Sequence, residues 1–140
     1  VRMKKLMNYF RSDSQLRDIL ITGGDALMTS NKNLRKILEA VLLMAKEKRD
    51  DNKNREHANK YAELQRVRLG SRLLAYLPSR IDQELITILR EFRERGSEAG
   101  ICQFVVPVIF SYVFRKSVKL YITGICISYD SPHISVFRFG

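Results

Sequence analysis

Two short turns carry the residues best suited to chemistry. In "ITGGDALMT", residues 21–29, two glycines and an aspartate follow an apolar run. A Gly-Gly turn lets a ligand approach the backbone, because no Cβ intervenes, and it offers amide N–H and C=O groups directly. Asp25 adds a fixed negative charge suited to an ammonium. The second turn is Gly70-Ser71-Arg72. An arginine with a flanking serine can hold a carboxylate, the guanidinium by a two-point contact. Asp25 on one turn and Arg72 on the other match the two ends of an α-amino acid. Gly-Gly-Asp is also common in plain turns, so composition alone leaves a purely structural role open.

Other candidates are less defined. Arg66 and Arg68 alternate with Val67 and Leu69, so on a strand both arginines share one face. Facing a barrel interior they could bind a phosphate or carboxylate; facing solvent they would mean little. Arg80, in "YLPSRI", either fixes a loop or touches a ligand, and the first reading is the simpler. His57 lies in a polar stretch and His133 in an unusual tail, neither beside a Cys, Asp or Ser, and both read as surface residues. Cys102 and Cys126 are too few for a metal or cluster motif, and each sits in an apolar run, so buried structural thiols are expected. The sequence holds no nucleotide P-loop, nucleophile elbow or zinc-binding His-Glu helix.

The elements that must position the two turns follow from periodicity. Met3, Leu6, Met7 and Phe10 mark one face of a short helix. "RDILIT" suits a buried strand and leads into the Gly-Gly-Asp turn. Ser30 can cap the next helix, whose buried stripe is Leu34, Ile37, Leu38, Val41, Leu42 and Ala45 and which is expected to run out near Arg49. Residues 50–62 are polar and read as a surface loop. "QRVRLG" is a second strand ended by Gly70, and "SRLLAYLPSR" crosses to a helix capped by Asp82, with Leu85, Ile88, Leu89 and Phe92 inward. "ERGSEAG" closes that helix with Gly96 and Gly100, and "ICQFVV" is a third strand. Strand–helix repeats of this kind give a parallel sheet with right-handed crossovers, and ligands bind at the carboxyl ends of its strands. Both turns fall on that rim.

Composition bounds the function. At 140 residues, 45% of them apolar, the chain is at most one domain and can build a core. "ICQFVVPVIFSYVF" is the nearest approach to a membrane span, but it contains Pro107, ends at Arg115-Lys116 and reads as a buried strand pair. No secretory signal is recognisable at the N-terminus, so a cytoplasmic location is expected. A net charge of +10 permits a polyanion partner, but the basic residues are scattered. The densest run, "KEKRDDNKNREHANK", is interleaved with acids and amides and reads as a solvated helix end and loop. A nucleic-acid partner is therefore not favoured. After Gly100 the character changes: the sole acid is Asp130, and eight of the thirteen aromatics fall there.

"DILITGGDALMTSNKNLRKILEAV" and "RVRLGSRLLAYLPSRIDQELITILREF" together resemble the lysine 2,3-aminomutase family of radical S-adenosylmethionine enzymes, over roughly residues 3–106. The resemblance implies a partial βα barrel of about three βα units with an irregular or strand-rich tail. It implies a [4Fe–4S] cluster, S-adenosylmethionine and pyridoxal phosphate as cofactors. The activity implied is radical-based migration of an amino group between carbons two and three of a small-molecule amino acid. By the same resemblance Gly23, Gly24 and Asp25 match the turn that holds the methionyl amino group. Ser71 and Arg72 match the block near the methionyl carboxylate, and Arg68 lies in that block. The family's C-x-x-x-C-x-x-C cluster motif precedes the first Gly-Gly-Asp strand, and its Schiff-base lysine lies far downstream. Neither falls in this chain, and Cys102 and Cys126 cannot replace three thiolates. The expectation is an internal piece of such an enzyme, inactive by itself, with a core over residues 1–106 and a tail over 107–140 that is either read in a shifted frame or genuinely divergent. A small module binding S-adenosylmethionine or an amino acid, and a basic nucleic-acid-binding domain, are the competing readings.

Overall fold

The computed structural model describes residues 2–73, 77–106, 120–122 and 125–127. Three strands, β1 (Asp18–Ile21), β2 (Arg66–Leu69) and β3 (Gln103–Val105), form an open parallel sheet in that order. A helix α1 (Arg2–Ser12) precedes β1, α2 (Asn31–Lys53) lies between β1 and β2, and α3 (Gln83–Glu98) lies between β2 and β3. Parallel neighbours cannot be joined by a tight hairpin, and α2 and α3 supply the two crossovers that the pairing demands. The fold is α/β, with the strand–helix alternation that the periodicity predicts.

Register assigns every strand residue to a face. Ile19 pairs with Val67 and Val67 with Phe104, while Ile21 pairs with Leu69. These apolar residues turn toward the helices, and Val67 and Leu69 are wholly buried. Asp18, Arg66 and Gln103 line up on the opposite pleat, followed by Leu20, Arg68 and Val105. The core closes with Leu34, Leu38, Val41, Leu42 and Ala45 from α2 and with Leu85, Ile88, Leu89 and Phe92 from α3. Ile37, placed in the same stripe by sequence, is half-buried, and Met44 joins the core instead. The rings of Phe92 and Phe104 meet edge to face at 4.8 Å, joining α3 to β3.

The helix caps are local and match their residue types. Ser30 Oγ accepts the Asn33 amide, and Asp82 Oδ1 accepts the Leu85 amide at 2.7 Å. At its other end α3 continues through Gly96 rather than stopping there. It ends where Gly100 takes φ = +90° and the amides of Gly100 and Ile101 return to the carbonyls of Ser97 and Gly96.

Four expectations from sequence need correction. The second helix runs on to Lys53, because Lys48 and Asn52 find backbone partners and are buried, so the irregular stretch begins about a turn later. Lys48 Nζ donates to Asp13 O at 2.7 Å and to Phe10 O and Leu16 O at 3.4 Å, sealing the α1–β1 link. Asn52 bonds both the carbonyl and the amide of Tyr61, and the Arg55 guanidinium lies 3.5 Å from the Tyr61 ring centroid. The run read as a solvated helix end is thus a junction between segments. Third, only half of the α1 stripe packs. Met7 and Phe10 lie against the core, whereas Met3 and Leu6 remain 39% and 44% exposed. The anchor of α1 is at its last turn, where Arg11 bonds Glu47 and Asp51. Finally, Cys102 is exposed, with the adjacent Ile101 taking the buried position.

In the tail, β4 (Leu120–Ile122) and β5 (Ile125–Ile127) form an antiparallel pair. β4 is the end of "RKSVKLYI". The expected strand pair around Pro107, the surface reading of His133 and the burial of Cys126 lie outside the described features, as do residues 74–76 of the crossing after β2. Among the described residues no helix is long and apolar enough to cross a membrane.

Candidate functional site

The parallel pairing of β1 with β2 carries both turns to one rim. Ile21 and Leu69 are paired at the strand ends, and Gly70 N then donates to Ile21 O at 3.0 Å. Ala26 N in turn donates to Gly70 O at 3.2 Å, so the two turns are tied backbone to backbone. Gly23 and Gly24 take φ of +131° and +77°, conformations that L side chains rarely adopt. A Cβ at either position would meet nothing within 4 Å. The glycines are therefore demanded by backbone conformation, and the turn stands in open space.

Asp25 is the knot of the rim. Its Oδ1 accepts the Leu27 amide at 2.9 Å and the Ser71 hydroxyl at 2.8 Å. Its Oδ2 accepts the amides of Arg72 at 2.5 Å and Leu73 at 2.9 Å. Burial pushes its pKa up, but the bonds from Ser71, Arg72, Leu27 and Leu73 outweigh it and hold the carboxyl below its ordinary range. The aspartate is thus ionised and shared between both turns. Ser71 is buried, and its Oγ also accepts the Leu73 amide at 3.1 Å. The side chain of Arg72 is left exposed beside this knot, and its guanidinium makes no hydrogen bond or ion pair to another described residue.

Below the knot, Arg80 crosses from the second block to the first. Nε donates to Leu27 O at 2.9 Å, and Nη2 donates to Thr29 O at 3.2 Å and to Asn31 Oδ1 at 2.6 Å. Nη1 lies 3.5 Å from Asp82 Oδ2, and only 15% of the Arg80 side chain is exposed. Of the two roles open to Arg80 in the sequence, the loop-fixing one is what these bonds describe. Asn31 completes the knit by donating to Glu84 Oε2 at 2.7 Å and to both Asp82 oxygens. Sequence reasoning missed Asn31: an asparagine just inside a helix carries no signal that its partners lie some fifty residues away.

Arg68 lies apart from the rim knot. It shares with Arg66 the face of the sheet opposite the core, as alternation predicts, and both pair with Asp18, Arg68 Nε to Oδ1 at 3.0 Å and Arg66 Nη1 to Oδ2 at 3.5 Å. Arg66 Nε also donates to Gln103 Oε1 at 2.6 Å. His57 is exposed. Among the described residues no three His, Cys, Asp or Glu side chains are grouped to hold a metal ion. Lys48 is the buried lysine of the described residues, and its ammonium is engaged by three carbonyls far from the rim in sequence.

No family model matches the chain. Individual proteins do. L-lysine 2,3-aminomutase of Clostridium subterminale is 34% identical over 91 residues, covering 65% of this chain and 18% of that protein. Methanococcus maripaludis L-lysine 2,3-aminomutase is 29% identical over 90 residues. Glutamate 2,3-aminomutase of Clostridioides difficile is 30% identical over 90 residues, 64% of this chain and 17% of its own length. The chain therefore has partial homology to the lysine and glutamate 2,3-aminomutases, a fragment-like match, and it spans less than a fifth of the relatives' length.

Proposed function

We propose, from this partial homology and the rim geometry, that the chain is a lysine 2,3-aminomutase-like segment. Its two rim turns receive the amino-acid end of S-adenosylmethionine. The observation that carries the reading is the Asp25 knot: four donors from both turns converge on one carboxylate. That convergence ties the exposed Gly23-Gly24 turn to the backbone of Arg72, whose side chain is exposed. The ammonium end of the ligand then meets backbone carbonyls of the Gly-Gly turn, in the negative potential of Asp25. The carboxylate end meets Arg72, a planar donor pair well matched to two oxygens. Ser71 acts through Asp25 by fixing the loop. Arg68, paired with Asp18 and partly exposed on the sheet face opposite the core, would meet a more distant part of the same ligand.

The chain alone does not carry out the parent reaction. A [4Fe–4S] cluster, which would supply the electron that cleaves S-adenosylmethionine, takes three thiolates where one iron stays open. The sequence has two cysteines, and among the described residues Cys102 stands exposed in no grouping of metal ligands. Pyridoxal phosphate, which would hold the substrate amine, calls for an accessible lysine in a pocket. Lys48 is sealed by carbonyls, and the other described lysines are exposed. The described residues fit neither group, whereas the rim turns fit an amino acid. The parent substrate is an amino acid, and neither turn separates lysine from glutamate.

Calorimetric titration with S-adenosylmethionine and L-methionine tests the binding half of this reading. Saturable heats with both ligands support it, and titrations indistinguishable from buffer dilution reject it. Anaerobic reconstitution with iron and sulfide tests the other half. An iron–sulfur absorption band accompanied by reductive cleavage of S-adenosylmethionine would overturn the claim that the chain is inactive alone.

A further inference from the structure

We infer that Arg80 is a positioning residue for the ligand turn, holding the Gly23-Gly24-Asp25 backbone in shape from behind. The inference rests on the reading of the rim as an amino-acid site, but its structural half can be tested without a ligand. Three observations carry it. Arg80 is the least exposed member of the ion pairs described, at 15%. Its guanidinium makes three donor contacts, all to the segment that leaves the turn: Leu27 O, Thr29 O and Asn31 Oδ1. Its remaining nitrogen faces Asp82, whose Oδ1 caps α3. One side chain thus fastens the exit of the first turn to the first turn of the helix after the second block. Asp25 fastens the entry of the same segment from the front. Between these two fasteners, Ala26 and Leu27 are buried and have little freedom to shift.

The geometry is specific to arginine. A guanidinium presents donors in a planar fork and can serve several carbonyls at once, while a lysine ammonium at the same place reaches one or two. Removing the fork would leave Leu27 O and Thr29 O without these donors and free the turn exit to move. The binding groups themselves, the Gly-Gly backbone and Arg72, would remain chemically intact. The expected consequence is weaker ligand binding caused by a loosened turn rather than by a lost contact.

Amide hydrogen exchange on the full chain, wild type against Arg80→Ala and Arg80→Lys, is the test, paired with titration by S-adenosylmethionine. The Ala26 and Leu27 amides, which bond Gly70 O and Asp25 Oδ1, should exchange at least about tenfold faster in Arg80→Ala, with Arg80→Lys intermediate. The Val67 amide in β2 should keep its wild-type rate. Binding should weaken by about tenfold in Arg80→Ala and less in Arg80→Lys. If the rates at Leu27 and Val67 rise together in both variants, or neither changes, Arg80 is not a positioning residue of the turn. If exchange accelerates locally but affinity is unchanged, the positioning role is likewise overturned. Should Arg80→Ala fail to fold, the same comparison in Arg80→Lys decides. If the wild-type chain binds no S-adenosylmethionine, the reading of the rim fails, and local acceleration at Leu27 then still establishes the clamp while its absence rejects it.

Discussion

At the scale of single residues, Asp25 bears most of the account. Sequence suggested a charge for an ammonium, and the structure places four protein donors on its two oxygens. Asp25→Asn would set an amide NH2 against one of those donor pairs, so a loss of about 1–3 kcal/mol in unfolding free energy is expected, read by urea denaturation. The pH dependence follows from sign. Burial raises the Asp25 pKa, but the hydrogen bonds lower it more, and the net folded value lies below the ordinary 3.8. The unfolded state then binds more protons in acid, so the Asp25 contribution is present above pH 3.8 and is lost as pH falls through the folded value. Asp82, held down chiefly by the Leu85 amide, and Asp51, held down chiefly by Arg11, act in the same sense. Thermal melts on descending pH should show stability falling below that point, with a shallower fall in Asp25→Asn. Gly24 offers an independent check. A Cβ there has space but the wrong φ, so Gly24→Ala should destabilise by about 1–2 kcal/mol from backbone conformation alone.

At the scale of elements, what was legible in the sequence was what local chemistry decides. Ser30 and Asp82 are caps whose partners lie three residues on, and both do cap. The inward stripe of α3 is a pure 3.6-residue period, and all four of its residues are buried. The Arg66/Arg68 face followed from strand alternation. What was not legible depends on partners distant in the chain. Lys48 and Asn52 look like solvated helix residues, yet one bonds the carbonyls of the α1–β1 link and the other the backbone of Tyr61. Nothing in their own neighbourhood announces those carbonyls. Burial pushes the Lys48 ammonium pKa down, against the pull of Asp13. The same physics predicts the cost of losing Asn52. Asn52→Ala strips both the Tyr61 amide and carbonyl of their partner, and about 1–3 kcal/mol of stability should go with it by chemical denaturation. Cys102 was misjudged for a related reason: an apolar run does not say which of two adjacent residues faces the core, and Ile101 takes that place.

At the scale of the molecule, an excess of 25 basic over 15 acidic residues invites a polyanion reading. Among the described residues, part of the basic charge is paired with acids. Arg11, Arg35, Arg49, Arg66, Arg68 and Arg95 each face a carboxylate, and the pairs Arg35–Glu91 and Glu39–Arg95 straddle the groove between α2 and α3. A protein engaging several phosphates loses affinity steeply with salt, whereas paired and scattered cations give weak retention. Fluorescence anisotropy with duplex DNA should therefore show loose binding with a shallow salt slope. Tight binding with a steep slope would restore the nucleic-acid reading. The helix-covered side of the sheet is settled by the core, and the rim above it carries the functional proposal. The most direct test of that proposal is residue-resolved: two-dimensional amide NMR of the full chain titrated with S-adenosylmethionine. Saturable shifts are expected at Thr22 to Leu27 and Ser71 to Leu73, abolished or strongly weakened by Arg72→Ala in a chain that keeps its fold. Saturable shifts elsewhere with these amides unmoved, or no shifts at any ligand concentration, would contradict it.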